Sequence, residues 1–260
     1  MRLDPLRLAI VTFAATIAMG ATTLLWGQQH QDLACVEQRF ENARFLVCPL
    51  NAREHELRLA ENGQDGAPLR SFRALAAFLG GDALRVRFAM NAGMFNSAGA
   101  PIGLYVENGE QEHPLNLANG PGNFHLKPNG VFWQDAGGGL HVATSEAYAT
   151  ADAQPKYATQ SGPMLVIDGA IHPRFAADGA SHYIRNGVGV GDAHRAFFVI
   201  SRDEVSFGVF ARFFRDGLQC RDALFLDGHV SSLWAPERHR QDRGAALGPM
   251  VVVLNRAQSP

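Results

Sequence analysis

The sequence has no charge of dominant sign: 23 Lys plus Arg stand against 25 Asp plus Glu in 260 residues. A chain so close to neutral offers no electrostatic case for nucleic acid or an anionic membrane surface. Any anion it handles must be met locally, by a few placed residues. It has only three cysteines, Cys35, Cys48 and Cys220, and no Cys-x-x-Cys, which removes a thiolate zinc site and a redox dithiol. His172, His182, His194 and His229 are scattered without H-x-x-x-H spacing, so neither a metal nor a cofactor is expected. Thr159-Gln160-Ser161-Gly162 lacks the first glycine of a G-x-S-x-G nucleophile elbow, which argues against a serine hydrolase. Neither a fixed-period repeat nor a linker rich in Pro, Gly or Ser divides the chain.

What is present is apolar and strand-like. Hydrophobic residues make up 47% of the chain, enough for a substantial core. Arg2 and Arg7 precede or open onto an apolar run over residues 8–26, the pattern of a secretory signal or an uncleaved N-terminal anchor. Residues 1–27 are therefore expected to be a signal peptide or membrane anchor, and residues 28–260 a domain in the periplasm or outside the cell. An oxidising compartment suits a disulfide between Cys35 and Cys48 across a short hairpin; pairing of Cys48 with Cys220 is the alternative.

Short apolar runs at 84–90, 104–106, 131–133, 140–143, 164–167, 196–200, 223–226 and 250–254 read as strands. Asn108-Gly109 and Asp168-Gly169 mark tight hairpin turns. Ser71 is placed to cap a helix with Phe72, Leu75, Ala76 and Leu79 on one face, stopped by Gly80-Gly81. A second helix is expected from Ser206, burying Val209, Phe210, Phe213 and Phe214 and ending at Gly217. These signals predict an α+β fold in one domain, helices packed on a mostly antiparallel or mixed sheet.

Four stretches combine glycines with polar residues at predicted strand ends, where scaffolds build sites. They are Asn91-Ala92-Gly93-Met94-Phe95-Asn96, Gln160-Ser161-Gly162-Pro163, Arg185-Asn186-Gly187-Val188-Gly189 and Leu226-Asp227-Gly228-His229-Val230-Ser231-Ser232. Taken singly, each reads equally well as turn chemistry or a surface ion pair. Their order and spacing together resemble the phosphodiester glycosidase family. Its Asn-Gly-Phe turn is similar to Asn91, Gly93 and Phe95, and its Gly-Pro-x-Leu-Val strand start to Gly162, Pro163, Leu165 and Val166. Its Arg-Thr-Ala-Ile-Gly motif is met by Arg185 to Gly189, with Asn186 and Gly187 as departures. Its Leu-Asp-Gly-Gly-Gly-Ser-Ser motif is met by Leu226 to Ser232, with His229 and Val230 replacing glycines. The likeness covers roughly residues 35–253, and the segment from Asn123 through His125 to Gly130 resembles a bacterial branch of the family.

The resemblance implies hydrolysis of a sugar 1-phosphodiester, on cell-envelope or extracellular glycans. Asp227 is then the acidic centre and Arg185 the phosphate clamp. Ser231 and Ser232, with the backbone at Gly228, are expected on phosphate or sugar hydroxyls, Asn91 and Gln160 on the sugar, and His229 or His125 on a proton. Gly93, Ser161 and Gly162 belong to the same expected pocket. Two other readings stay open: a non-catalytic module binding phosphorylated glycans, and a metal-dependent phosphodiesterase that breaks the P–O bond.

Overall fold

The computed structural model describes residues 34–257, and the apolar N-terminal run lies outside them. From the N-terminal side, β1 (Val36–Phe40) turns into β2 (Ala43–Asn51), followed by β3 (His55–Ala60). Helix α1 (Phe72–Leu79) leads through a tight helical turn over Gly80–Arg85 into β4 (Val86–Asn91). Then come β5 (Tyr105–Glu107), β6 (Glu110–His113), β7 (Gly130–Asp135), β8 (Leu140–Thr144) and the short α2 (Ser145–Thr150). Next are β9 (Pro155–Ser161), β10 (Met164–Ile167), β11 (Ala170–Ile171), β12 (Asn186–Asp192) and β13 (Arg195–Ser201). Helix α3 (Phe207–Arg212) widens into a π-turn over Phe213–Gly217. The chain closes with β14 (Asp222–Phe225), β15 (Leu233–Ala235), β16 (Arg240–Gln241) and β17 (Met250–Asn255).

The strands form three sheets, ordered β1-β2-β13-β12-β14-β10-β11, β16-β15-β4-β17-β3 and β6-β5-β9-β7-β8. Every strand pairing among the described residues is antiparallel, as in the register Gly187↔Phe225 between β12 and β14. The expected antiparallel character holds. The helices are fewer and shorter than an α+β label implies, and no helix among the described residues is long and apolar enough to cross a membrane.

Strand β2 shows how the layers are held. Its side chains alternate faces, so Leu46 and Cys48 enter a core shared by all three sheets, with Phe88, Phe132, Phe198 and Leu224. Phe45 and Val47 point the other way, against Phe210, Phe213 and Phe214 of α3 and its π-turn. The second helix thus packs as the sequence pattern predicts, capped by Ser206 Oγ, which accepts from Val209 N–H at 3.2 Å. Helix α1 is likewise capped by Ser71 and buries Phe72 and Leu75 against Trp234 and Val252.

Some local details differ from the sequence reading. Leu84 and Arg85 are helical rather than strand, because the chain leaves α1 at Gly80 and keeps turning to Arg85. Strand β3 was not anticipated. Gln160 and Ser161 do lie at a strand end, that of β9, and Asn186 to Gly189 form the start of β12, a strand the sequence did not signal. The cysteine alternatives are resolved: Cys35 pairs with Cys48, next to the Val36↔Val47 register of β1 and β2, and Cys220 is free and buried.

Candidate active site

Antiparallel pairing of β12 and β10 with β14 brings the start of β12, the start of β10 and the end of β14 to the same end of the seven-stranded sheet. The end of β4 meets them from the second sheet. Asn91 makes this junction. Its Nδ2 donates to Asp227 O at 2.8 Å, and its Oδ1 accepts from Asn186 Nδ2 at 3.0 Å and from Ser232 N–H at 2.9 Å. The Asp227 N–H donates to Ala92 O at 3.2 Å. Gln160 does the same work one layer away. Its Oε1 accepts from the N–H groups of Leu104 and Asn116, both at 2.9 Å, while Nε2 donates to Asn116 O and Ser145 Oγ. Both amides are about 1% exposed with their hydrogen-bonding atoms engaged. They fix loops from within the frame, so the structure places both behind the cavity-lining residues rather than among them.

Gly93, Ser161 and Gly162 are also packed into the frame. A Cβ at Gly93 would sit on the Gln160 carbonyl, so only glycine permits this approach of β4 to β9. Ser161 is fully buried, and its hydroxyl has no partner among the described residues. His125 is engaged elsewhere: its ring Nδ1 lies 3.0 Å from Ala118 O, edge-on to Phe124, and it lines none of the cavities around Asp227.

The remaining residues converge. Arg185, Asp227, Gly228 and His229 line one cavity of about 450 Å³, together with Met94, Asn123, Tyr183 and Phe225. Gly228, His229, Ser231 and Ser232 line a second of about 490 Å³, which shares Tyr183 with the first. Tyr183, Phe225 and Glu204 (in the second cavity) carry no motif by themselves; only the fold gathers them.

Arg185 is 2% exposed, yet among the described residues no carboxylate lies within ion-pair distance of it. Its Nε donates to Val205 O and its Nη2 to Ser181 O, both at 2.8 Å. The guanidinium lies 3.6 Å from the centre of the Phe207 ring, close enough for a cation–π contact. Burial lowers its pKa to about 10, so it stays a cation at neutral pH. Asp227 caps the helical turn Gly228–Val230, with Oδ1 accepting from His229 N–H at 3.1 Å. Burial pushes its carboxyl above the ordinary Asp value, only partly offset by that hydrogen bond. Ser231 Oγ lies within reach of Ile184 O, Asn186 Oδ1 and Gly228 O, so its single proton serves one of them at a time.

Among the described residues, a buried guanidinium and a desolvated carboxylate, neither in an ion pair, thus face one cavity. Each is costly to the fold alone. Such an arrangement suits a ligand bearing a fixed negative charge beside a centre that turns positive during reaction.

Residues 85–254 match the phosphodiester glycosidase family. The uncharacterised Escherichia coli K12 protein YigE is 41% identical over 150 residues, 58% of this chain and 58% of that relative's length. Among solved structures, the chain resembles the zebrafish N-acetylglucosamine-1-phosphodiester alpha-N-acetylglucosaminidase catalytic domain auto-inhibited by its pro-peptide. The TM-score is 0.59 at 12% identity, covering 86% of this chain and 82% of that one. A hypothetical protein from Synechocystis gives a TM-score of 0.54 at 14% identity, over 85% of this chain and 61% of the other. At such identities the solved structures speak for the fold alone, whereas the family match runs through Arg185 and Asp227 and covers most of the described residues. The chain belongs to the phosphodiester glycosidase family.

Proposed function

We propose that this protein hydrolyses the glycosidic bond of a sugar 1-phosphodiester, releasing the sugar and a phosphomonoester, on cell-envelope or extracellular glycans. The observation that carries this reading is the buried Arg185 guanidinium, without a carboxylate partner among the described residues, in the same cavity as Asp227. The phosphodiester lies against Arg185, and the bond between the anomeric carbon and the phosphate oxygen breaks toward it. The departing phosphomonoester keeps the electron pair, and the guanidinium stabilises its growing charge. A phosphate leaving group is acidic enough to depart with little proton donation, unlike the alcohol of an ordinary glycoside. That agrees with Asp227 being the one carboxylate that lines this cavity among the described residues. Asp227 stabilises the positive sugar carbon, or bonds to it, and water then supplies the new hydroxyl. Glu204 lines the adjoining cavity and forms no ion pair among the described residues, which leaves it available to activate that water. Ser231, Ser232 and the Gly228 backbone hold oxygens of the substrate.

The basic start and apolar run at residues 8–26, with the Cys35–Cys48 bond, support action outside the cytoplasm. A second reading, binding without turnover, is favoured by one feature: the His229 side chain stands in the cleft. Product analysis on a panel of sugar 1-phosphodiesters tests both. Free sugar plus phosphomonoester is expected; sugar 1-phosphate plus alcohol would place the cut at phosphorus, and binding without products would leave only the module.

A further inference from the structure

The two residues that replace glycine in the Asp227 loop behave differently. Val230 is buried in the core around Trp234 and Met250, whereas His229 is exposed and lines both cavities. Tyr183 also lines both cavities and is 62% exposed, the one large aromatic left in the open among the described residues. It is not loose. Its N–H donates to Val205 O at 3.3 Å, and its carbonyl accepts from Val205 N–H at 3.0 Å. Its ring centre lies 5.7 Å from the Arg185 guanidinium carbon. The fold therefore holds a bare aromatic face at the mouth of the cleft and forgoes the stabilisation of burying it.

We propose that Tyr183 and His229 form an aromatic subsite that stacks on the sugar ring being cleaved. The proposal rests on the reading of Asp227 as the group beside the anomeric carbon. His229 is two residues along, with its N–H bonded to the Asp227 carboxylate, so its ring borders the same sugar. A pyranose face made of C–H bonds is apolar and matches an aromatic face; a face broken by an axial hydroxyl does not. The pair therefore selects sugars with an unbroken C–H face, and His229 narrows the choice that glycine would leave open.

The test uses the full chain and four probes: the 1-phosphates of glucose, galactose, mannose and N-acetylglucosamine. Binding is measured by titration, and stacking by upfield NMR shifts of the sugar ring protons. Tyr183→Ala is expected to weaken the best-bound probe on the order of tenfold, as loss of one stacked ring does elsewhere. Tyr183→Phe should restore binding, and His229→Gly should compress the affinity differences among the four sugars. Unchanged affinity in Tyr183→Ala, absence of upfield shifts, or no binding of any probe to the wild type would each overturn the subsite. Hydrolysis is assayed separately. Tyr183-dependent binding without turnover would sink the proposed reaction and keep the subsite; turnover with an unchanged KM in Tyr183→Ala would do the reverse.

Discussion

Two polar groups of residues meet at the same strand ends and have opposite chemistry. Around Asn91, Gln160 and Asn186, the amide side chains are matched within the protein: the asparagines join β4 to β12 across two sheets, and Gln160 pins the loops beside the third. A few residues away, Arg185 and Asp227 are desolvated charges that form no ion pair among the described residues. Matched polar groups build a frame; unmatched charges are retained at a cost to stability, which is the mark of a working site. All of them come from the same four glycine-bearing stretches, so the motif alone does not separate frame from site.

The largest test of this division is Asp227→Asn. Turnover of a sugar 1-phosphodiester should fall on the order of 100-fold or more while substrate still binds. Stability should move the other way. A carboxyl with a raised pKa in the folded state holds its proton more tightly there than in the unfolded chain. Wild-type stability from this group is therefore fully present below the ordinary Asp value and is lost as pH rises through the folded pKa. The variant should melt higher than wild type at neutral pH, and the gap should close in acid; thermal melts across pH check the sign. An active Asp227→Asn enzyme would move the centre to another loop.

Arg185→Lys comes next. An ammonium cannot both keep the Val205 and Ser181 contacts and present a planar edge to phosphate. A loss on the order of thirtyfold on the phosphodiester is expected, the worth of one charge-assisted hydrogen bond. An aryl glycoside without phosphate should be affected less, and equal losses on both substrates would remove the clamp. On the frame side, Gln160→Ala strands the groups of Leu104, Asn116 and Ser145 and should cost about 2 kcal/mol in denaturant unfolding. A variant as stable as wild type would show that water replaces the amide. Ser161→Ala is the smallest case: its hydroxyl is buried without a partner, so stability should change by less than about 0.5 kcal/mol or rise. A larger loss would expose a hydrogen bond to an internal water.

The helix caps at Ser71 and Ser206 and the turns at Asn108-Gly109 and Asp168-Gly169 were legible because their causes are local. A hydroxyl meets an N–H three residues on, and each turn pair adopts positive φ, 53° and 86° in the first and 48° and 79° in the second. The convergence of Arg185 and Asp227 was legible only through the family's motif. Asn186 to Gly189 did not read as a strand, since glycine carries no strand preference. That strand exists because Gly187 and Gly189 let the backbone lie against Leu224, Phe214 and Cys220.

By itself the sequence determined the near-neutral charge, the antiparallel habit and the two capped helices, while the choice between two cysteine pairings waited for the fold. The turns and caps follow from residues within one or two turns of each other. Only the tertiary structure decided that Asn91 and Gln160 are frame, that His125 lies outside the cleft, and that Tyr183 stands at its mouth. Those outcomes depend on which hydrogen-bonding atoms are already taken by residues as far as 141 positions away, as for Asn91 and Ser232. A polar side chain is free for chemistry only when folding leaves it without a partner, and no local pattern records that.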